Sequence, residues 1–253
     1  MMKKWMMAVF MGPLCCAAQT PTPSPVPPSS AQAEVVALKP EELREFAEQP
    51  PAVRALLAAA LALVGRNLRY QYGSSDPDNG GLDCSGAVYC VLRQAGIKEV
   101  PRQANQMYLW VRKAGYFQAV WSTDPGTFEL EALAPGDLMF WTGTYEIERD
   151  PPVTHVMIYL GKEKDSGKRV MIGASEGRSY AGKPRAGYSV FHFSLPGFPL
   201  PKGTNGSRFI GYGKIPGLEK IELPPPDSLL QPPPTTPLQV SPDEKLSLFL
   251  PGN

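Results

Sequence analysis

Proline sets how much of this chain can fold. Of 253 residues, 29 are proline, against an ordinary share of about 5%, and they crowd toward the two ends. Pro21 to Ser30 is almost entirely Pro, Ser and Thr. A similar tract, with Pro224, Pro225, Pro226, Pro232, Pro233 and Pro234, follows Ile221 and runs to the end. Such stretches bury no core and favour extended chain. One domain is therefore expected, at about 36–220, between a Pro/Ser/Thr-rich linker over 19–35 and a Pro-rich tail over 221–253.

The first residues read as a targeting segment. Lys3 and Lys4 make a positive start, Trp5 to Leu14 is apolar, and the small residues Cys16, Ala17 and Ala18 offer a cleavage point before Gln19. The apolar run is shorter than the ~20 residues a spanning helix needs, so a signal peptide over 1–18 is expected. Lipidation of Cys15 or Cys16 is the alternative. Either way the expected address is outside the cytoplasm, periplasmic or at the cell envelope, with membrane contact only through the signal or a lipid anchor. Lys and Arg total 25 against 24 Asp and Glu, which gives no electrostatic case for a nucleic-acid partner.

Beyond the signal only Cys84 and Cys90 remain. Six positions apart on one helix, they point in different directions, so a disulfide between them is not expected. The spacing fits neither a redox pair nor a zinc pattern, and two histidines without an acidic cluster make a thin ligand set. No metal or cofactor is expected.

The domain reads as helices first and strands after. Glu41–Glu48 suggests a short helix stopped by Pro50 and Pro51, and Ala52–Arg66 a second, rich in Ala and Leu. Tyr70–Gly81 has the Gly, Asp and Asn content of a loop. Asp83 suits an N-cap for a helix over Cys84–Ala95, with Gly96 as its stop. Then Asp137–Trp141, His155–Leu160, Arg169–Ala174, Tyr188–Phe193 and Arg208–Ile215 are short runs of β-branched and aromatic residues between turns. The fold class is α+β, with N-terminal helices packed on a central antiparallel sheet.

Chemistry concentrates at Leu82-Asp83-Cys84-Ser85-Gly86. In the first turn of a helix, free backbone N–H groups and the dipole favour a thiolate and help hold the oxyanion formed when a carbonyl is attacked. Helix position alone fits a buried structural cysteine better. His155 opens an otherwise apolar strand, which would place its imidazole on a rigid element as a base.

Five segments occur in order: Tyr70-Gln71-Tyr72-Gly73, Asp83-Cys84-Ser85-Gly86, Pro101-Arg102, Pro135-Gly136-Asp137-Leu138 and His155-Val156-Met157-Ile158-Tyr159-Leu160-Gly161. Together they make the stretch from about Ala52 to Ile215 resemble the NlpC/P60 family of papain-like cell-wall peptidases. The resemblance implies an endopeptidase on peptidoglycan stem peptides, commonly cutting between γ-D-glutamyl and a diamino acid. It implies Cys84 as nucleophile and His155 as general base, with Tyr70, Asp83 and Ser85 lining the substrate pocket.

One position departs from the pattern. Gly173 stands where the family usually carries a polar residue, often His, that orients the imidazole. Three readings follow: His192 takes the role from the neighbouring strand, with the glycine leaving room for its ring; Glu176 or Ser175 swings in; or nothing orients His155 and the protein is slow or inactive. A wall-binding module without useful turnover and a related Cys/His wall amidase are the competing functions. The stretches Thr142–Pro152, Glu163–Lys168 and Arg178–Ala186 are insertions expected to border the cleft.

Overall fold

A computed structural model describes residues 38–196 and 206–221. The expected signal peptide, the linker, Cys15 and Cys16, and the tail beyond Ile221 lie outside the described residues.

Helix α1 (Pro51–Val64) starts on Pro51 at its first position, where the missing N–H costs nothing. Pro51 thus opens a helix rather than only closing the one before. The helix expected over 41–48 is instead two single 3-10 turns, Pro40–Glu42 and Phe46–Glu48. Between them Leu43 leaves to bridge Glu163, and the Arg44 N–H donates to the Lys162 carbonyl at 2.7 Å. The expected loop over 70–81 holds a two-residue parallel pair, β1 (Arg69–Tyr70) with β2 (Gly81–Leu82), which draws Tyr70 alongside the segment entering α2 (Cys84–Gln94).

Two elements have little signal in the sequence. Helix α3 (Ala104–Lys113) buries only Ala104, Met107 and Val111 and has no side-chain cap at Gln103. Strand β3 (Phe117–Ala119) is a three-residue edge. It joins β4 (Leu138–Thr142), β5 (Val153–Lys162), β6 (Arg169–Tyr180), β7 (Lys183–His192) and β8 (Arg208–Gly213) in one antiparallel sheet of order β3-β8-β4-β5-β6-β7.

The central strands are covered on both faces. Phe140, Val156, Ile158, Ile172 and Val190 face the cluster that includes α1, α2 and α3 residues. Met139, Trp141, Met157, Tyr159, Met171 and Phe191 face a second cluster with Val120, Leu130 and Leu133. This double cover explains why β5 is an almost unbroken apolar run instead of alternating. His155 shares the face of Met157, two residues on.

Asp137 sits at the turn into β4 and is 4% exposed. Its carboxylate accepts from the Ala134 N–H at 2.9 Å, and its own carbonyl accepts from Tyr159 N–H. Burial pushes its pKa up to about 6 despite that N–H and the charge of Lys214. Because the folded pKa is raised, the ionised carboxylate opposes folding. The penalty is absent below the unfolded value and fully present above pH ~6, where it is worth about 3 kcal/mol. Asp137→Asn is therefore expected to gain stability relative to wild type between pH 4 and pH 7 in denaturant titrations. A constant difference across that range would show that the group titrates normally.

Candidate active site

The entry to α2 is held by one carboxylate. Asp83 caps the helix, its Oδ1 accepting from the Gly86 N–H at 2.6 Å, while Oδ2 accepts from the Gly73 N–H at 2.9 Å. Arg102 forks onto both oxygens at 3.1 and 2.8 Å and also reaches Ser85 Oγ at 3.0 Å. Ser85 Oγ donates to Asp83 Oδ1 at 3.2 Å. Gly86 allows a further contact: a Cβ there would lie 2.0 Å from the Ser74 carbonyl oxygen, which itself accepts from the Asp83 N–H. The small residue thus admits the 71–76 loop. Arg102, which the sequence offers only as part of a motif, proves to be the partner that neutralises Asp83.

Cys84 is the first residue of α2 and is buried at 6% exposure. Its Sγ lies 3.8 Å from the Thr154 carbonyl, the residue before His155. The helix start favours a thiolate, but the surroundings reverse that preference. Burial, with the Asp83 charge second, pushes the thiol up to about 11, and the N–H groups of Val156, Ser85 and Cys84 offset this only in part. His155 is also buried, and burial together with the charge of Arg178 holds its imidazole well below the ordinary value. At rest both groups are neutral, the thiol protonated and the imidazole uncharged. Burial and nearby Cys84 push the Tyr70 phenol up as well.

His155 stands opposite Trp141 in the β4–β5 register, their rings 5.5 Å apart and edge-on. Its Nε2 is buried with no hydrogen-bond partner. The register excludes His192 as the orienter. Gly173 pairs with Ser189, and His192 pairs with Val170 on the face opposite to His155. There the His192 ring meets Glu163, with Nε2 3.5 Å from the carboxylate, and the Tyr180 ring at 4.8 Å. Nor is there a vacancy at Gly173, where a Cβ would meet Met157 Cγ at 3.1 Å. Ser175 Oγ turns to the Glu176 carbonyl at 3.5 Å, and neither residue bonds the imidazole among the described residues.

A cleft of about 1280 Å³ opens over His155, lined also by Tyr70, Trp141, Tyr145, Ser175 and Arg178. Cys84, Asp83 and Ser85 are buried and are not among its lining residues. Of the three insertions, 142–152 borders this cleft through Gly143, Thr144, Tyr145, Glu146 and Ile147, and the 178–186 stretch contributes Arg178. The 163–168 stretch does not. It packs on the N-terminal turns, Lys164 N–H donating to the Glu42 carbonyl at 2.8 Å, at the far end of β5. Among the described residues no group of three or more His, Cys, Asp or Glu is placed to hold a metal ion.

With this geometry in place, the comparison with known families gives one match: the NlpC/P60 family, over residues 66–185. The protein carries an NlpC/P60 domain. No curated protein matches the chain. The matched stretch runs from the end of α1 into β7 and so contains Asp83, Cys84, Arg102 and His155 together. The NlpC/P60 family supports a cell-wall hydrolase kind of function, of the peptidase or amidase type, with peptidoglycan as substrate.

Two measurements check the site. Asp83→Ala removes a cap worth ~1 kcal/mol and strands Arg102 and the Gly73 N–H, so a loss on the order of 2–4 kcal/mol is expected in urea unfolding. Alkylation of Cys84 by iodoacetamide, followed by peptide mass, is expected to keep accelerating with pH toward 11. A rate already at its plateau near pH 6 would mean that the resting thiol is ionised.

Proposed function

We propose that the domain is an exported cysteine endopeptidase that hydrolyses peptidoglycan stem peptides at the γ-D-glutamyl–diamino acid bond. The observation that carries the reading is the meeting of Cys84, at the start of α2, with the Thr154–Val156 stretch that presents His155. The neutral imidazole is the form able to accept a proton. As substrate enters, His155 takes the thiol proton while Sγ bonds the γ-carbonyl carbon. N–H groups at the helix start receive the oxyanion. The C–N bond then breaks, His155 passes its proton to the leaving amine, and a thioester remains on Cys84. Water, deprotonated by His155, cleaves the thioester and restores the thiol. Export rests on the lysine-led apolar run at the N-terminus.

Two observations favour a second reading, a wall-binding module with little turnover. His155 Nε2 has no partner, and Met157 fills the place beside Gly173. Loss of the third member of such a triad lowers rates by about 10⁴ without abolishing chemistry, so this affects rate before mechanism.

Purified muropeptides incubated with wild type and variants, and analysed by mass spectrometry, decide between the two. Cleavage after γ-D-glutamate by wild type, abolished in Cys84→Ala and His155→Ala and retained in His192→Ala, is the expected pattern. Intact muropeptides throughout would transfer the assignment to the binding module. The pH profile of kcat/KM is expected to rise below pH 6.5 and to hold toward pH 11, following the two shifted groups. A decline starting below pH 9 would contradict a neutral resting pair.

A further inference from the structure

Arg178 is the one cation that the β6–β7 hairpin sends into the cleft, and nothing in the mechanism above uses it. It stands just past an irregularity in pairing, where Ser175 faces Gly187 and Arg178 faces Arg185, so that Glu176 and Gly177 bulge against Ala186. Gly177, with φ +78°, makes the bend. The guanidinium carbon lies 4.6 Å from the Trp141 ring centroid, and the same ring meets His155. Among the described residues no carboxylate lies within ion-pair distance of Arg178, and its side chain donates no hydrogen bond. Burial lowers its pKa to about 10, so it remains charged at neutral pH. A half-buried guanidinium resting on an indole keeps its in-plane N–H fork free. An unsatisfied fork in a cleft calls for a planar anion, and a carboxylate fits it bidentately.

We propose that Arg178 is a specificity-determining residue that receives a free carboxylate of the bound peptide, the α-carboxylate of a γ-glutamyl residue whose γ-carbonyl faces Cys84. This rests on the peptidase reading for which peptide occupies the cleft. It goes beyond that reading by making the charge state of the glutamyl residue the property selected. A peptide whose α-carboxyl is amidated offers the fork a neutral group and leaves the guanidinium charge without its partner. Arg208 repeats the arrangement in the same cleft, 5.3 Å over Trp121, but only the Arg178 charge acts on His155.

The test separates binding from turnover. Full-chain Cys84→Ala protein is titrated calorimetrically with L-alanyl-γ-D-glutamyl-L-lysinamide and with the same peptide carrying an α-carboxamide. The free acid is expected to bind about tenfold or more tightly, with the preference lost in Cys84→Ala/Arg178→Gln and partly kept in Cys84→Ala/Arg178→Lys. Equal affinity for the two peptides, or no binding of either, overturns the proposal; so does a preference that survives Arg178→Gln. Thermal melts check that the variants fold, and if the glutamine variant does not, the two peptides on Cys84→Ala alone decide the matter. Wild-type turnover of the same peptides is recorded separately. Preferential binding without cleavage retains the carboxylate site and removes the peptidase reading, whereas cleavage of both peptides alike does the reverse.

Discussion

Everything at the start of α2 hangs on the Asp83 carboxylate. It caps the helix, fixes the Gly73 end of the 71–76 loop and takes the Arg102 fork from the segment leading into α3. Three separate stretches of chain are thereby tied to the residue before the candidate nucleophile. A buried carboxylate would be a liability if left alone; here hydrogen bonds reach both oxygens and a cation shares them.

The same arrangement works against ionisation of Cys84. The Asp83 charge stands next to the sulfur, and burial removes the water that would stabilise a thiolate. Three N–H groups are not enough to compensate. His155, also buried, is kept neutral by that burial and by Arg178. In the proposed mechanism, proton transfer therefore accompanies attack rather than preceding it. Arg178 contributes in two ways, as a charge that lowers the imidazole's proton affinity and as an open fork toward the cleft.

Much of this was legible in the residues. Asp83 as N-cap and Gly96 as stop followed from short-range chemistry, since Asp83 does accept from Gly86 N–H and Gly96 does take φ +94°. The five later strands followed from apolar runs between turns. What could not be read was set by pairing across the sheet. The His192 assignment needed the β6–β7 register, and that register depends on a two-residue turn at Ala181-Gly182, both with positive φ, and on the bulge at Glu176-Gly177. Together they carry His192 to Val170 and leave Ser189 opposite Gly173. The thiol's pKa is likewise set at a distance: burial supplied by remote strands outweighs the local N–H groups of the helix start. Trp141 and Arg178 carry no motif; they meet His155 only because β4, β5 and β6 are neighbours.

The most direct test of a Cys84-centred hydrolase is to catch the covalent intermediate. Wild-type and His155→Ala proteins are mixed with purified stem peptide, quenched in acid over a series of times, digested, and the Cys84 peptide weighed. The expected result is a thioester adduct of the glutamyl-side fragment on Cys84 in wild type, formed far more slowly without His155. Turnover with the adduct on any other residue, or with none at any time, would contradict it.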